Sequence, residues 1–146
     1  LKVESILDLG AGLNPIAIAK PGVKYYALEI NADDLNRVKE YFVKRGIQGE
    51  IIIHDLRKPF NFPEADLCLI LKVFDVLETR GHKLAEQIIS SINCRYFLIS
   101  FPTKTLSNAP MRHPQRGWIE QLLGRLEFKF KIFKSRNEIF YLAERA

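Results

Sequence analysis

The chain has 146 residues, the size of one ordinary domain, and its 47% hydrophobic and 27% charged residues are typical of a globular protein. No apolar run approaches the ~20 residues that cross a bilayer, so we expect no membrane span. The formal charge of +5 arises in the second half, because residues 1–72 carry ten basic and ten acidic side chains and residues 73–146 carry twelve and seven. Such a basic half favours an anionic partner, although a solvated face has the same composition.

The two cysteines predict a reducing compartment. Cys68 and Cys94 each lie in an apolar, strand-like run, which is typical of buried thiols, so we expect them to be reduced and the protein to be cytoplasmic. The three histidines and the cysteines show no metal-ligand spacing, and no metal is expected. The chain begins at Leu1 rather than with Met, which leaves its natural start open, and the sequence leaves the oligomeric state open.

Strand and helix patterns alternate along the first 126 residues. Short runs rich in β-branched and aromatic residues predict parallel strands buried on both faces at 5–9, 24–30, 49–55, 65–72 and 95–101. Residues with helical spacing follow four of them, at 15–19, 33–46, 79–92 and 118–126.

The last forty residues have a different pattern. Apolar and lysine residues alternate over 127–133, and a second apolar run at 137–144 follows after a turn-sized gap, which predicts an antiparallel hairpin at a sheet edge. We therefore expect one α/β domain over residues 1–146. Its Rossmann-like, seven-stranded sheet would be mostly parallel, with a C-terminal antiparallel hairpin and helices on both faces.

A glycine turn and two acids follow the first three predicted strands. Gly10 and Gly12 permit a tight turn and a close backbone approach to a ligand, although Pro15 stands where a dinucleotide fingerprint has its third glycine. Glu29 and Asp55 lie at the ends of the next two strands. Because the carboxyl ends of parallel strands meet at one edge, these residues predict a nucleotide site there.

With these residues the chain resembles the class I S-adenosylmethionine (SAM)-dependent methyltransferases over essentially its full length. The resemblance implies SAM as cofactor, with the turn from Asp8 to Gly12 on its methionine part, Glu29 on the ribose hydroxyls and Asp55 on the adenine amino group. His54 would be a wall of the adenine pocket or a packed residue rather than a catalyst. The cofactor-binding residues implied are Asp8, Gly10, Ala11, Gly12, Asn14, Pro15, Glu29, Ile30, His54, Asp55, Leu56, Leu71 and Lys72.

Three stretches, at residues 10–17, 69–78 and 98–107, are similar to the small-subunit ribosomal RNA methyltransferases that confer aminoglycoside resistance. That family methylates a purine ring nitrogen in the decoding site, so the resemblance implies RNA, in the small ribosomal subunit, as the partner. Ala11 replaces the family's usual Cys, Asp75 stands where Pro is common, and the family's helical N-terminal domain has no counterpart in this sequence.

A ring nitrogen offers its lone pair without first losing a proton, so no general base is expected. Neither the D/N-P-P-Y/F motif that grips an exocyclic amine nor a cysteine placed to attack a pyrimidine is present. Lys72 ends the fourth predicted strand, and Phe74 lies in the turn expected after it. Together with Lys104 they are candidates for positioning the acceptor. Phe74 would either stack on a base or pack internally.

The segment 103–117 has no periodic pattern and is interpreted as a mobile flap or an ordinary surface loop, in which Lys104, Arg112 and Arg116 would contact RNA phosphates. Two alternatives to an RNA methyltransferase stay open: a small-molecule methyltransferase, and a SAM-binding module that acts with a partner without turnover.

Overall fold

The computed structural model describes residues 2–77, 82–105 and 107–146. Within them the strands are β1 Ser5–Leu9, β2 Lys24–Glu29, β3 Gly49–Ile53, β4 Ala65–Leu71, β5 Cys94–Pro102, β6 Phe128–Lys134 and β7 Glu138–Arg145. The helices are α1 Asn14–Ile18, α2 Ala32–Arg45, α3 Phe74–Leu77, α4 Lys83–Ser91 and α5 Gly117–Arg125.

The strands form one sheet in the order β3-β2-β1-β4-β5-β7-β6. The first five pair in parallel, whereas β7 is inserted antiparallel between β5 and β6. The predicted seven-stranded α/β fold with a C-terminal hairpin is thereby confirmed, and β6 lies at the sheet edge as its lysines predicted. Strand order reverses between β1 and β4, so a crevice opens beyond their carboxyl ends.

Helix α2 begins and ends at residues with clear capping signals. Its N-cap Asn31 accepts a hydrogen bond from the backbone N–H of Asp34 at 3.1 Å, and Gly46 ends the helix with a left-handed φ of 66°. Leu35 and Val38 are fully buried against the sheet. The helix predicted at 79–92 is observed from Lys83 onward, and residues 79–81 lie outside the described residues.

Two local expectations were wrong. Strand β3 was expected to be buried on both faces, but it is an edge strand, and the side chain of Ile53 is 65% exposed because no strand lies beyond it. The segment after β4 was expected to be a turn, and instead forms the short helix α3.

The core consists of two apolar clusters, one on each face of the sheet. Cys68 and Cys94 are both buried and unpaired, as predicted, and burial raises the pKa of the Cys68 thiol. No helix in the described ranges is long and apolar enough to cross a membrane.

A buried acid lies in the middle of the sheet. Asp8 of β1 is fully buried, and the hydroxyl of Tyr25 on β2 donates a hydrogen bond of 2.5 Å to its Oδ2. Its Oδ1 has no partner among the described residues. Burial, opposed by the Tyr25 hydrogen bond and reinforced by the charge of Glu29, raises the pKa of Asp8 to about 7. Asp8 therefore stays protonated well above the ordinary carboxyl range.

This raised pKa predicts a pH-dependent stability. Between the ordinary carboxyl pKa of 3.8 and about 7 the folded protein binds a proton that the unfolded chain has released. The free energy of unfolding should therefore fall as pH rises through this window, by up to about 4 kcal/mol. Asp8→Asn removes the titration, so the wild type should lose stability relative to the variant from pH 4 to pH 7 in urea titrations. Parallel pH profiles of the two proteins would contradict this assignment.

Candidate functional site at the carboxyl edge of the sheet

A cavity of about 260 Å³ lies at the carboxyl ends of β1 to β4. The strand order explains its place, because the crevice at the reversal between β1 and β4 is where such sheets bind ligands. Its lining residues are Gly10, Glu29, Ile30, His54, Asp55, Leu56, Arg57, Lys72, Val73, Val76 and Leu77.

Seven of the thirteen predicted cofactor-binding residues line this cavity: Gly10, Glu29, Ile30, His54, Asp55, Leu56 and Lys72. Four lining residues were missed. Val73, Val76 and Leu77 belong to the segment after β4, and Arg57 belongs to the segment after β3. Their position within a few residues of the carboxyl end of a strand could have indicated that they line the site.

Glu29 organises the rim of the cavity. One carboxylate oxygen, Oε1, accepts the backbone N–H of Gly12 at 2.9 Å. The other, Oε2, accepts those of Ile30 at 2.8 Å and Asn31 at 2.9 Å. A carboxylate can accept about four hydrogen bonds, so capacity for a ligand donor is left while the side chain is held in place. Glu29 thus joins the glycine turn of β1 to the end of β2.

The two glycines of the turn are there for geometric reasons. Gly10 and Gly12 have φ of 61° and 52°, in the left-handed region that side chains disfavour. A Cβ on Gly10 would lie 2.8 Å from Cγ2 of Val73, so the Val73 side chain packs directly against the backbone of the turn. A side chain at Gly10 would push these two walls of the cavity apart.

Asp55 and His54 form the opposite wall. Oδ1 of Asp55 accepts the backbone N–H of Arg57 at 3.0 Å, which fixes the carboxylate in the turn after β3. His54 Nε2 lies 3.0 Å from the carbonyl oxygen of Lys58, and its ring packs on Phe60 with centroids 4.4 Å apart. His54 is therefore a wall of the cavity.

The other six predicted cofactor-binding residues do not line the cavity. Asp8 is buried beneath it, and Ala11 and Pro15 are buried next to the turn. Gly12 contacts Glu29 through its N–H. The remaining two are Asn14, at the start of α1, and Leu71, at the end of β4.

Lys72 has a strained backbone at the cavity wall. Its φ is 57°, which is rare for a residue with a long side chain, and its N–H is shared between the carbonyl and hydroxyl oxygens of the buried Ser100 at 3.0 and 3.1 Å. Its Nζ lies 3.8 Å from Oε1 of Glu138 on β7. Sparsely populated conformations of this kind concentrate at functional sites, which supports Lys72 as a positioning candidate.

A second cavity of about 330 Å³ lies between the segment after β3 and helix α4. It shares Leu56 and Arg57 with the first cavity, but no glycine turn and no carboxylate lines it. The chemistry of a nucleotide site is therefore in the smaller cavity. Among the described residues no group of three or more His, Cys, Asp or Glu side chains is placed to hold a metal ion.

Phe74 packs internally. Its side chain is 1% exposed, and its ring lies edge-on to Trp118 of α5 with centroids 6.0 Å apart. Trp118 also stacks on His82, with centroids 3.9 Å apart. Of the two alternatives, internal packing is therefore the one observed, because a ring that is 1% exposed cannot stack on a base.

Arg116 was expected to contact phosphates, but the structure gives it other partners. Its side chain is only 13% exposed, and its Nη2 lies 2.7 Å from Oδ2 of Asp75 on α3. It also donates to the carbonyl oxygens of Pro102 and Pro114, and its guanidinium lies over the ring of Phe101. Arg116 therefore ties the segments after β4 and β5 together, and its charge is already neutralised.

The segment expected to be a mobile flap has internal backbone bonds. Met111 N–H donates to the carbonyl of Thr103 at 2.9 Å, and Thr105 N–H donates to that of Ala109 at 2.8 Å. These bonds close residues 103–111 into a compact loop, with Leu106 outside the described residues. The loop presents Arg112 to solvent, and Lys104 is half-buried.

We predict that the Arg116–Asp75 pair is energetically coupled. The side chain of Arg116 is 13% exposed and that of Asp75 is 34% exposed, so removing Asp75 leaves a mostly buried guanidinium without its counter-charge. A double-mutant cycle with Asp75→Asn and Arg116→Met, measured by urea unfolding, should give a coupling of about 1–3 kcal/mol.

The matched control is the exposed pair of Arg125 and Glu86, which also joins two helices at 2.9 Å. Its side chains are 59% and 40% exposed, so its coupling should stay below about 1 kcal/mol. Equal coupling energies for the two pairs would contradict the proposed contribution of the Arg116–Asp75 ion pair.

The chain is similar to known ribosomal RNA methyltransferases. The family model described as "Ribosomal RNA methyltransferase (FmrO)" matches residues 2–139. The 16S rRNA (guanine(1405)-N(7))-methyltransferase of Micromonospora rosea is 29% identical over 107 residues, which are 70% of this chain and 39% of that protein. The enzyme of the same description from Serratia marcescens is 24% identical over 146 residues, which are 96% of this chain and 57% of that protein. The chain thus spans 39% to 57% of the length of these relatives.

Solved structures share the fold. The 16S rRNA methylase RmtB superposes with a TM-score of 0.77 at 21% identity, covering 99% of this chain and 57% of that one. The 16S rRNA methyltransferase RmtF, solved with S-adenosyl-L-homocysteine, gives a TM-score of 0.75 at 24% identity, covering 100% and 57%. The predicted Rossmann-like methyltransferase fold is confirmed. With a family model that matches nearly its whole length, the chain belongs to the ribosomal RNA methyltransferase (FmrO) family.

Proposed function

We propose that this chain is the cofactor-binding and catalytic part of a SAM-dependent methyltransferase that acts on a purine ring nitrogen of small-subunit ribosomal RNA. The observation that carries the proposal is the cavity at the carboxyl edge, where the glycine turn, Glu29 and Asp55 meet. Family membership and the activities of the relatives named above support it. Such an enzyme would work on ribosomes in the cytoplasm, and the two unpaired thiols support this location.

The residues of the cavity fit this cofactor. Glu29 has a carboxylate fixed by three backbone N–H groups and with capacity for the ribose hydroxyls. Asp55 would accept a hydrogen bond from the adenine amino group, and the ring would lie between the walls formed by His54 and Ile30. The turn at Gly10 would hold the methionine part, since it brings backbone rather than side chain to the cavity.

When bound, SAM supplies a methyl group on a sulfonium that is reactive without further activation. The protein's task is then mainly alignment, which can contribute about 7–11 kcal/mol to lowering the barrier. A ring nitrogen presents a free lone pair, so no residue of this chain has to remove a proton from it. Lys72, on the wall of the cavity with its strained backbone, and Lys104, in the loop after β5, would position the base.

The basic half of the chain would hold the RNA. Lys104 and Arg112 lie in the loop that leaves β5 at the same edge as the cavity, and neither forms an ion pair among the described residues. Phosphate contacts of this kind position a substrate without reading its sequence. A small ribosomal subunit presents both the phosphates and the base.

The role of Glu29 predicts a loss of cofactor affinity in Glu29→Ala. Hydrogen bonds to a charged group contribute about 1.5–3 kcal/mol, so SAM should bind about 10- to 100-fold more weakly in calorimetry. Asp33→Ala, which removes an exposed acid on α2, is the matched control and should bind SAM like the wild type. Thermal unfolding of each variant checks that the fold is kept. Unchanged affinity in a folded Glu29→Ala protein would refute the assignment.

Methyl transfer itself is tested with methyl-labelled SAM and a panel of acceptors. We expect label in the 16S rRNA of small ribosomal subunits, on a purine ring nitrogen, with a rate that falls steeply as salt rises. Label in a small molecule, at a rate insensitive to salt, would overturn the RNA substrate. SAM binding without methyl transfer to any acceptor would contradict the proposed methyltransferase activity and favour a SAM-binding module.

A further inference from the structure

We infer that the tip of the β6–β7 hairpin is a second RNA-backbone contact, separate from the loop after β5. The tip comprises residues 134–137, with Lys134 and Arg136 as its charged groups. This inference rests on the proposed function and names the surface through which the substrate would be held.

The tip carries two exposed cations and no acid of its own, and the flanking Glu138 lies 3.8 Å from Nζ of Lys72. Between residues 128 and 137 there are four basic side chains and no acid. All four are exposed, and none forms an ion pair within the described part of the chain. Two of the four, Lys134 and Arg136, lie at the tip itself, and exposed cations of this kind complement a polyanion such as RNA.

Protection of the sheet edge does not account for the tip. Lysines along an edge strand discourage pairing with another chain, and this explains Lys129 and Lys131 on β6. Arg136 lies in the turn beyond the paired residues, where no edge is left to protect. Lys134 is the last paired residue, opposite Ile139. The charge of Arg136 therefore calls for another explanation.

The topology puts the tip at the carboxyl edge, beside the cavity. Because β7 runs antiparallel to β5, its first residue Glu138 pairs with Pro102, the last residue of β5. Thr103 N–H donates to the carbonyl of Asn137 at 2.9 Å, joining the tip to the loop after β5. Glu138 also meets Nζ of Lys72 on the cavity wall at 3.8 Å. At a strand spacing of about 4.8 Å, β6 lies about 15 Å from β4, a distance that a few RNA nucleotides span.

The tip is held rigidly enough to present its charges. Ser135 N–H donates to the carbonyl of Glu138 at 2.9 Å, which closes the turn. Directly behind it, Phe133 and Phe140 pair across the strands, with rings stacked at 5.2 Å and inclined by 13°. Cross-strand aromatic pairs of this kind stabilise a hairpin, so the backbone that carries the cations needs little ordering when RNA binds.

The test compares two charge-reversal pairs. One variant carries Lys134→Glu and Arg136→Glu, and the control carries Arg37→Glu and Lys39→Glu, the same residue types two positions apart on the exposed side of α2. Binding to fluorescently labelled small ribosomal subunits is measured from 50 to 200 mM salt, with SAM affinity as a check of the fold. We expect the tip variant to bind at least tenfold more weakly and with a shallower salt dependence, and the control to bind like the wild type.

Equal affinities of the tip variant and the control would overturn the inference, as would binding of the wild type that does not depend on salt. A pair of milder substitutions, Lys134→Gln and Arg136→Gln, should show a smaller loss in the same direction. The failures of the two proposals are distinguishable. Subunit binding through the tip without methyl transfer would overturn the proposed function alone, whereas methyl transfer with an unaffected tip variant would overturn only the inference.

Discussion

The site depends on how one carboxylate is held. Glu29 accepts the N–H of Gly12 from the turn after β1 and two N–H groups from the end of β2, so it fixes the relative position of two neighbouring strand ends. An acid on an exposed strand end would sample many rotamers and would have to be ordered by its ligand. Here the backbone supplies that order in advance, and the remaining hydrogen-bonding capacity points to a polar ligand at the cavity rim.

The neighbouring part of the same edge, after β4 and β5, is held by a different interaction. Arg116 joins Asp75 after β4 to Pro102 at the end of β5, and its side chain is better shielded from water than that of Arg125 in the exposed pair with Glu86. Asp75 stands where the similar ribosomal RNA methyltransferases commonly have Pro. This chain therefore has, in place of a conformationally restricted residue, one that is held by an ion pair with Arg116. The cavity wall, the loop after β5 and the β6–β7 hairpin thus form one continuous rim, linked through Lys72 and Glu138.

The sequence was informative where local chemistry decides the structure. The two left-handed glycines, the capped helix α2 and the alternating hairpin strands each follow from residues a few positions apart. It misled where a role depends on distant neighbours. Phe74 and Arg116 carry groups suited to RNA, but Phe74 packs on Trp118 and Arg116 forms an ion pair with Asp75. Both partners are more than 40 residues away in the sequence.

By itself, the sequence determined the order of strands and helices, the glycine turn and the acids that end β2 and β3. Periodicity and turn chemistry are short-range properties, and parallel strands bring their carboxyl ends to one edge whatever the details. Only the tertiary structure decided which of these groups reach the cavity, that Asp8 lies sealed beneath it with a raised pKa, and that β3 is an edge strand. The reason is that burial and ion pairing depend on the packing of elements far apart in the chain, which no local pattern records.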